Sequence, residues 1–291
     1  MTQLDKIPEK TSVSQKIVRA IIGILFVIIV TIGMIEASLY FLDPLGIVAY
    51  FHSFKMLEEA RIPSETGYTF AMGEYEMLDY SYTINADESR LVPATNNNAE
   101  CTIATIGDSL TFGMGVEDDE TWVNILAETY PDVHFLNYGR PMFSSGNVLR
   151  SYNTYEADAY MWLIISNDDF PDSEYYPSKG GYSLASRLYW IYVLYPLIFN
   201  ELPYDVLYEE GVPIATNITS PSANVADEIA NNTFIFGFDE FPTNNVEQAI
   251  IIPAFTEVNS AIDPHPSAVG NQQIADAILP YMDDFIREQC G

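Results

Sequence analysis

Three residues in this sequence have the side chains and the settings that nucleophilic catalysis requires. Ser109 lies two residues beyond a short apolar run, at a turn that contains Gly107. A nucleophilic serine needs such a sharp turn, which exposes its oxygen near backbone N–H groups. His265 comes shortly before the last predicted helix, and Asp263, two residues earlier, is near enough to hold one nitrogen of its ring. The pattern predicts that Ser109 is a nucleophile, His265 its base and Asp263 the group that orients the base.

Each of these residues also has a simpler interpretation. Glycine–aspartate–serine tripeptides are common in turns, and Asp263 could cap the helix that follows, with His265 incidental. The other two histidines are weaker candidates for the base, because His52 lies in an irregular N-terminal segment and His134 inside a predicted strand. The interpretation therefore depends on a fold that brings Ser109 and His265 together.

The predicted elements alternate between strand and helix. Such alternation implies a parallel sheet covered on both faces, in which functional groups collect beyond the carboxyl ends of the strands. Polar clusters at 107–109, 137–139 and 166–168 fall at these ends. The apolar and turn patterns predict strands at 101–106, 133–136 and 160–165, and helices at 121–130, 144–155 and 266–290.

The charge of the chain restricts its partners. Lys and Arg number 12 and Asp and Glu 41, for a net charge of −29, and all of the negative excess lies after residue 42. Binding of nucleic acid needs cationic side chains that neutralise phosphates, so this balance excludes it. A neutral or cationic substrate is favoured, and so is a saline medium that screens the repulsion. The 2 cysteines and 3 scattered histidines lack the spacing of a zinc site, so no metal is expected.

An apolar segment near the N-terminus predicts a single membrane anchor in the lipid bilayer. Residues 20–35 are uncharged and mostly apolar, and the segment extends to 17–42 with only Arg19 and Glu36 as interruptions. This length suffices for a bilayer core, and the basic residues precede the span, so we expect a cytoplasmic N-terminus and an extracytoplasmic domain. The alternatives are a cleaved signal peptide, whose apolar region is usually shorter, and a buried helix of a soluble protein.

Four segments resemble the sequence blocks of the GDSL/SGNH serine hydrolases, in the order that the family has them. The first is IATIGDSLTFGMGV at Ile103–Val116, and the second is LNYGRPMFS at Leu136–Ser144. The third is IISNDDF at Ile164–Phe170, and the last is DPHPSAVGNQQI at Asp263–Ile274. Each block is short, but four in order, each at a predicted loop of one sheet, make the resemblance specific. The anchor and lead-in also resemble a membrane-anchored subgroup of the family.

The resemblance implies both a fold and a division of roles. The fold would be α/β, a doubly wound, flavodoxin-like three-layer parallel sheet. Ser109 would attack an ester carbonyl, His265 would transfer the proton, and Asp263 would orient His265. The backbone N–H groups of Ser109 and Gly139 would form the oxyanion hole with the side-chain amide of Asn167. No metal and no organic cofactor would be needed.

Two positions depart from the family pattern. The third block usually has a glycine two residues before its asparagine, where this chain has Ile165. The second block often has a second glycine three residues after the first, where this chain has Met142. Neither change removes a catalytic group, but both could reshape the oxyanion hole or narrow the pocket. Asp263 is two residues before His265, where three is the commoner spacing.

The expected organisation also predicts a covalent link. In a doubly wound fold the first strand begins at the bottom of the sheet, and the last helix ends there. Cys101 begins that strand and Cys290 ends that helix, so we expect a disulfide in an exported domain, with unpaired thiols as the alternative. The expected parts are a cytoplasmic tail at 1–16, the anchor at 17–42, an irregular stalk or lead-in at 43–100 and a hydrolase-like domain at 101–291.

Three classes of function are compatible with these residues. The leading one is an extracytoplasmic esterase that hydrolyses acyl esters, O-acetyl groups included, of glycans or small molecules. An O-acyltransferase of surface polysaccharide would use the same triad and acyl-enzyme, with a sugar hydroxyl in place of water. A non-catalytic surface-binding protein could keep the fold. The presence of Ser109, Asn167, Asp263 and His265 together argues against this third class.

Overall fold

The computed structural model describes residues 13–165, 221–238, 246–260 and 263–291, and it divides the chain into two compact units. The first unit includes helix α1 (Val13–Leu42). Its residues Ser14–Leu42 are long and apolar enough to cross a membrane, with a mean hydropathy of 2.7. A 30-residue helix is about 45 Å long, which exceeds a hydrocarbon core of about 30 Å. Length and composition fit an anchor, and they fit a signal sequence as well.

The segment before the sheet is folded, where the sequence predicted an irregular stalk. It belongs to the second unit, which begins at Leu45. Its strands are four residues long, too short for an alternating pattern to be recognised in the sequence. The segment contains helix α2 (Ile47–Ala60) and two antiparallel hairpins, β1 (Arg61–Ser64) with β2 (Gly67–Phe70), and β3 (Gly73–Glu76) with β4 (Ser81–Ile84).

Aromatic side chains of these hairpins form a core with the loops at the carboxyl edge of the sheet. The rings of Phe70 and Tyr82 lie 5.5 and 5.1 Å from that of Phe112, between ring centroids. The ring of Tyr68 lies 5.2 Å from that of Phe143, and its hydroxyl donates to the carbonyl of Pro141. The lead-in is therefore a folded layer that shares its core with the segments after Ser109 and Gly139, and regular hairpins stand where the sequence predicted an irregular segment.

A five-stranded parallel sheet forms the centre of this unit. Because its strands are buried on both faces, they are nearly continuous apolar runs. Its strands are β5 (Cys101–Ile106), β6 (Val133–Asn137), β7 (Ala159–Ile164), β8 (Thr233–Phe238) and β9 (Ile250–Ile252). The spatial order is β6-β5-β7-β8-β9, with every neighbouring pair parallel. This is the 2-1-3-4-5 order of flavodoxin-like sheets, as predicted, and its switch point lies between β5 and β7.

Helices cover both faces of the sheet. Helices α4 (Trp122–Thr129) and α7 (Ala268–Cys290) pack on one face, against residues such as Ile103 and Phe236. Helices α5 (Ser145–Thr154) and α6 (Pro221–Ile229) pack on the other, against residues such as Trp162. The strand residues alternate between these two cores, as the pleat of a strand requires. The predicted three-layer arrangement is thus present in the described part of the chain.

In the last helix, the spacing of the apolar residues in the sequence predicts a buried face of Val269, Ile274, Ile278, Tyr281 and Phe285. Ile274, Ile278 and Phe285 are buried as expected. Val269 and Tyr281 are instead 57% and 41% exposed. The buried stripe continues through Asn271, Ala275 and Met282, which lie at i, i+4 and i+11 and keep the contact with the sheet side of the helix.

The two cysteines lie at the same end of this unit. Cys101 begins β5 and Cys290 ends α7, and their sulfurs are bonded, with Cα atoms 5.5 Å apart. The bond links positions 189 residues apart in sequence. It joins the first strand of the sheet to the helix that follows the candidate histidine.

Candidate active site

The turn after β5 presents Ser109 at the carboxyl edge of the sheet. Gly107 has φ of +150°, and a Cβ there would collide with the side chain of Thr111. The Asp108 carboxylate accepts from the backbone N–H of Leu110 at 2.9 Å and so caps the short helix α3 (Ser109–Phe112). Ser109 is the first residue of that helix and remains 8% exposed. The glycine and the cap together fix the position of the serine.

The loop before α7 holds the predicted base and its partner. Asp263 Oδ1 lies 2.5 Å from His265 Nδ1 and accepts the backbone N–H of His265 at 3.1 Å. Both side chains are largely buried, with 11% of His265 and 10% of Asp263 exposed. The helix N-cap is Ser267, which accepts from the N–H of Gly270. Asp263 is therefore not the cap of α7, which removes the simpler interpretation of this residue.

Ser109, His265 and Asp263 form one continuous line of contacts. His265 Nε2 lies 2.9 Å from Ser109 Oγ, although the two residues are 156 positions apart in sequence. When Nδ1 donates its proton to Asp263, Nε2 is left as an acceptor for the serine hydroxyl. This is the geometry of a serine nucleophile with a general base and an orienting carboxylate.

The second loop contains Gly139, the predicted source of an oxyanion-hole N–H. Gly139 lies so close to the backbone of Phe112 that no side chain would fit. Its N–H donates to Asn137 Oδ1 at 3.0 Å, and Asn137 Nδ2 donates to the carbonyl of Thr111 at 2.8 Å. In the resting arrangement this N–H is thus engaged by Asn137. Asn167, the third predicted donor, lies outside the described residues.

The comparisons with known proteins come from solved structures. No sequence-family model and no curated protein matches this chain. A lipolytic protein of the G-D-S-L family from Veillonella parvula is 16% identical, with 62% of this chain and 98% of that one covered and a TM-score of 0.36. The esterase EstA from Pseudoalteromonas sp. is 16% identical over 65% of this chain and 100% of its own, with a TM-score of 0.35. The acetylxylan esterase Axe2 from Geobacillus stearothermophilus, solved as a catalytic mutant, is 14% identical over 66% and 95%, with a TM-score of 0.35.

The chain resembles the GDSL/SGNH hydrolases. The fold rests on the strand order of this chain, and the chemistry rests on its own contacts among Ser109, His265 and Asp263.

Arg90, a buried arginine that the sequence analysis did not predict as functional, donates hydrogen bonds to the segment that follows Ser109. Arg90, fully buried, donates to the carbonyls of Phe112, Gly113 and Val116 at 2.8, 2.5 and 2.6 Å. Its Nε lies 2.8 Å from Asp118 Oδ1. Burial raises the pKa of the Asp118 carboxyl above its ordinary value, although the Arg90 guanidinium opposes this rise. One cation thus ties three carbonyls and a carboxylate to the lead-in.

A second buried arginine does the same for the loop of Gly139. Arg140 donates to the Gly139 carbonyl at 2.6 Å, to Thr69 Oγ1 at 3.1 Å and to the carbonyl of Glu88. Lys and Arg number only 12 in this chain, so a buried pair of arginines is a sizeable share. Their scarcity is the one signal in the sequence that could have pointed to Arg90 and Arg140, because no pattern of residue spacing is typical of a buried arginine.

Met142 lies at the position where the family often has a glycine. Its φ is +67°, in the left-handed region that glycine adopts without strain. Its side chain is 43% exposed. Ile165, the other departure, ends the described part of this edge and is 9% exposed. Among the described residues no three or more His, Cys, Asp and Glu side chains group as a metal site would require.

Proposed function

We propose that this protein is a serine ester hydrolase of the GDSL/SGNH type that acts through an acyl-enzyme on Ser109. The observation that carries the proposal is the pair of contacts on His265, 2.9 Å to Ser109 Oγ and 2.5 Å to Asp263 Oδ1. A base needs hydrogen-bond reach to the proton that it removes and a partner that fixes its tautomer, and these contacts supply both.

In the first half of the reaction, Ser109 Oγ attacks the ester carbonyl while His265 Nε2 takes its proton. The imidazolium that forms is stabilised by the Asp263 carboxylate. His265 then gives the proton to the departing alcohol oxygen, and the acyl group stays on Ser109. In the second half, His265 removes a proton from water, which attacks the acyl-enzyme and releases the carboxylic acid.

The negative oxygen of each tetrahedral intermediate needs fixed N–H donors. We assign this role to the backbone N–H groups of Ser109 and Gly139 and to the side chain of Asn167. The N–H of Gly139 must then exchange its present acceptor, Asn137 Oδ1, for the substrate oxygen or share itself between the two. The residues described here need no metal and no organic cofactor for these steps.

We further propose that α1 anchors the enzyme in a bilayer and that the domain acts outside the cytoplasm. Lys16 and Arg19 lie at the N-terminal end of the apolar span, which favours a cytoplasmic N-terminus. The net charge of −29 favours neutral or cationic esters over anionic ones. Acyl esters of glycans or small molecules, with O-acetyl groups among them, are the substrate class.

The test is hydrolysis of esters by the full-length protein in detergent. We expect turnover of p-nitrophenyl acetate that falls by about 1,000-fold or more in Ser109→Ala and in His265→Ala, since the two residues act as one unit. Unchanged turnover in Ser109→Ala would refute the assignment. Product analysis with an added sugar acceptor separates hydrolysis, which yields free acid, from acyl transfer, which yields a new ester.

A further inference from the structure

We propose that Asn259 is a positioning residue of the triad. It fixes the orientation of Asp263 and, by donating a hydrogen bond, lowers the basicity of the Asp263 carboxylate. The proposal rests on the esterase function above. Asn259 Nδ2 lies 3.1 Å from Asp263 Oδ2 and 3.2 Å from the carbonyl of Met114. It therefore joins the orienting carboxylate to the segment that follows the nucleophile. Neither a sequence block nor a spacing rule points to this residue.

The backbone sets Asn259 opposite the catalytic histidine. Its N–H donates to the His265 carbonyl at 3.0 Å, and Val258 forms an antiparallel bridge with Pro266. A further bond from the N–H of Ser267 to the Glu257 carbonyl, at 3.0 Å, extends this pairing. The loop of Asp263 is thus closed like a hairpin, and Asn259 is held on the strand that faces His265.

The orientation of the amide follows from its neighbours. Asp263 Oδ2 and the Met114 carbonyl oxygen are both acceptors, so the amide must present its NH₂ group to them. Each of the two hydrogens then has one acceptor. The Asp263 carboxylate in turn accepts three hydrogen bonds. Oδ1 accepts from His265 Nδ1 and from the backbone N–H of His265, and Oδ2 accepts from Asn259 Nδ2.

Gly115 provides the space for this amide. Its φ is +89°, and a Cβ there would overlap the side-chain nitrogen of Asn259 and lie 2.7 Å from its Cγ. The second glycine of the segment Gly113-Met114-Gly115 is thus explained by the approach of Asn259. The loop after Ser109 and the loop of Asp263 and His265 therefore meet at this side chain as well as at the contact between His265 and Ser109.

The consequence is chemical as well as geometric. Hydrogen bonds to a carboxylate stabilise its charged form and lower its basicity. Without the Asn259 amide, Asp263 Oδ2 lacks its hydrogen-bond donor, and the carboxylate interacts more strongly with the proton on His265 Nδ1. An ionised aspartate at position 259 adds a second negative charge to that of Asp263 and stabilises the imidazolium further, whereas a protonated one would donate to Oδ2 as the amide does. Since only neutral His265 can act as base, the acidic limb of the pH profile of kcat/KM must move to higher pH.

The experiment compares Asn259→Asp and Asn259→Leu with wild type, as full-length protein in detergent. Alanine is avoided because a cavity of about 80 Å³ adjoins Asn259 and Asp263, and water from it could replace the lost donor. The matched control is Asn153→Asp on α5, an exposed asparagine whose amide donates to the Leu149 carbonyl. Melting temperature, the rate of Ser109 labelling by a fluorophosphonate and the pH profile of kcat/KM for p-nitrophenyl acetate are measured for each.

We expect Asn259→Asp to label about 10-fold more slowly at neutral pH and to shift the acidic limb up by about one pH unit. We expect Asn259→Leu to shift it in the same direction by less, and the control to match wild type. A folded Asn259→Leu whose acidic limb matches that of wild type would overturn the proposal and leave the esterase function standing, because leucine cannot donate in either protonation state. Loss of folding in both variants would overturn it by making Asn259 structural. Wild-type protein without labelling at Ser109 would overturn both proposals.

Discussion

Met142 has a left-handed backbone conformation that favours glycine, yet it carries a long side chain. Its φ of +67° costs a non-glycine residue about 1–2 kcal/mol, and its side chain is 43% exposed. It follows Gly139 in the loop that we propose to line the oxyanion hole.

We predict that Met142→Gly is more stable than Met142→Ala by up to about 1 kcal/mol. Both variants lose the side chain, but only glycine relieves the left-handed backbone, and part of this gain is offset by the greater freedom of glycine in the unfolded chain. Denaturant unfolding of the two variants beside wild type measures the difference. A less stable glycine variant would show that the backbone at position 142 is not strained.

Residue types predicted which three side chains meet at the carboxyl edge of the sheet, Ser109, His265 and Asp263, and for a physical reason. Nucleophile, base and orienting carboxylate each require particular side chains, and the fold class fixes the edge where they meet. Asn259 and the buried arginines escaped prediction because amide and guanidinium groups occur everywhere in sequences and act through partners that only the folded chain reveals. Asn167, which the resemblance implies, stays a prediction.

Among the secondary-structure elements, the lead-in is bound to the segment 112–118, which follows Ser109. Arg90 joins them by hydrogen bonds to Phe112, Gly113 and Val116 and by its ion pair with Asp118. Three strands of the sheet, β5, β6 and β7, were predicted, because buried parallel strands are continuous apolar runs. The hairpins of the lead-in were not, since strands of four residues are too short to carry a period.

We predict that Arg90→Met destabilises the protein by about 3 kcal/mol or more. The change leaves three carbonyls without the donor that they share and the largely buried Asp118 carboxylate without its cation, and such losses cost more than the bond itself is worth. Arg287→Met is the matched control, because Arg287 pairs with Asp284 at an exposed site and should matter little. Thermal and urea unfolding compare the two, and equal effects would contradict the role given to Arg90.

At the scale of the whole molecule, one covalent bond closes most of the second unit. The disulfide between Cys101 and Cys290 spans 189 residues, and in the chain-entropy model so long a loop is worth about 5 kcal/mol. We predict that reductant lowers the melting temperature of wild type and leaves that of the double Cys→Ser variant unchanged. A wild-type protein that is insensitive to reductant, with two thiols free to alkylate beforehand, would contradict the bond.

The charge of the molecule makes a separate prediction. With a net charge of −29, self-repulsion opposes the folded state at low ionic strength and is screened within about 3 Å in molar salt. We expect molar NaCl to raise the melting temperature by on the order of 5 °C. An uncharged osmolyte at equal osmolality serves as the control, and stability that does not respond to NaCl beyond that control would contradict a salt-adapted surface.

The central claim is that Ser109 is an activated nucleophile, and covalent labelling tests it most directly. The full-length protein is treated with a fluorophosphonate at low and at high salt, beside Ser109→Ala, and the modified peptide is identified by mass spectrometry. We predict a single adduct on Ser109 that is absent from Ser109→Ala and forms more slowly in His265→Ala. A folded protein that forms no adduct under either condition, or an adduct that persists in Ser109→Ala, would contradict it.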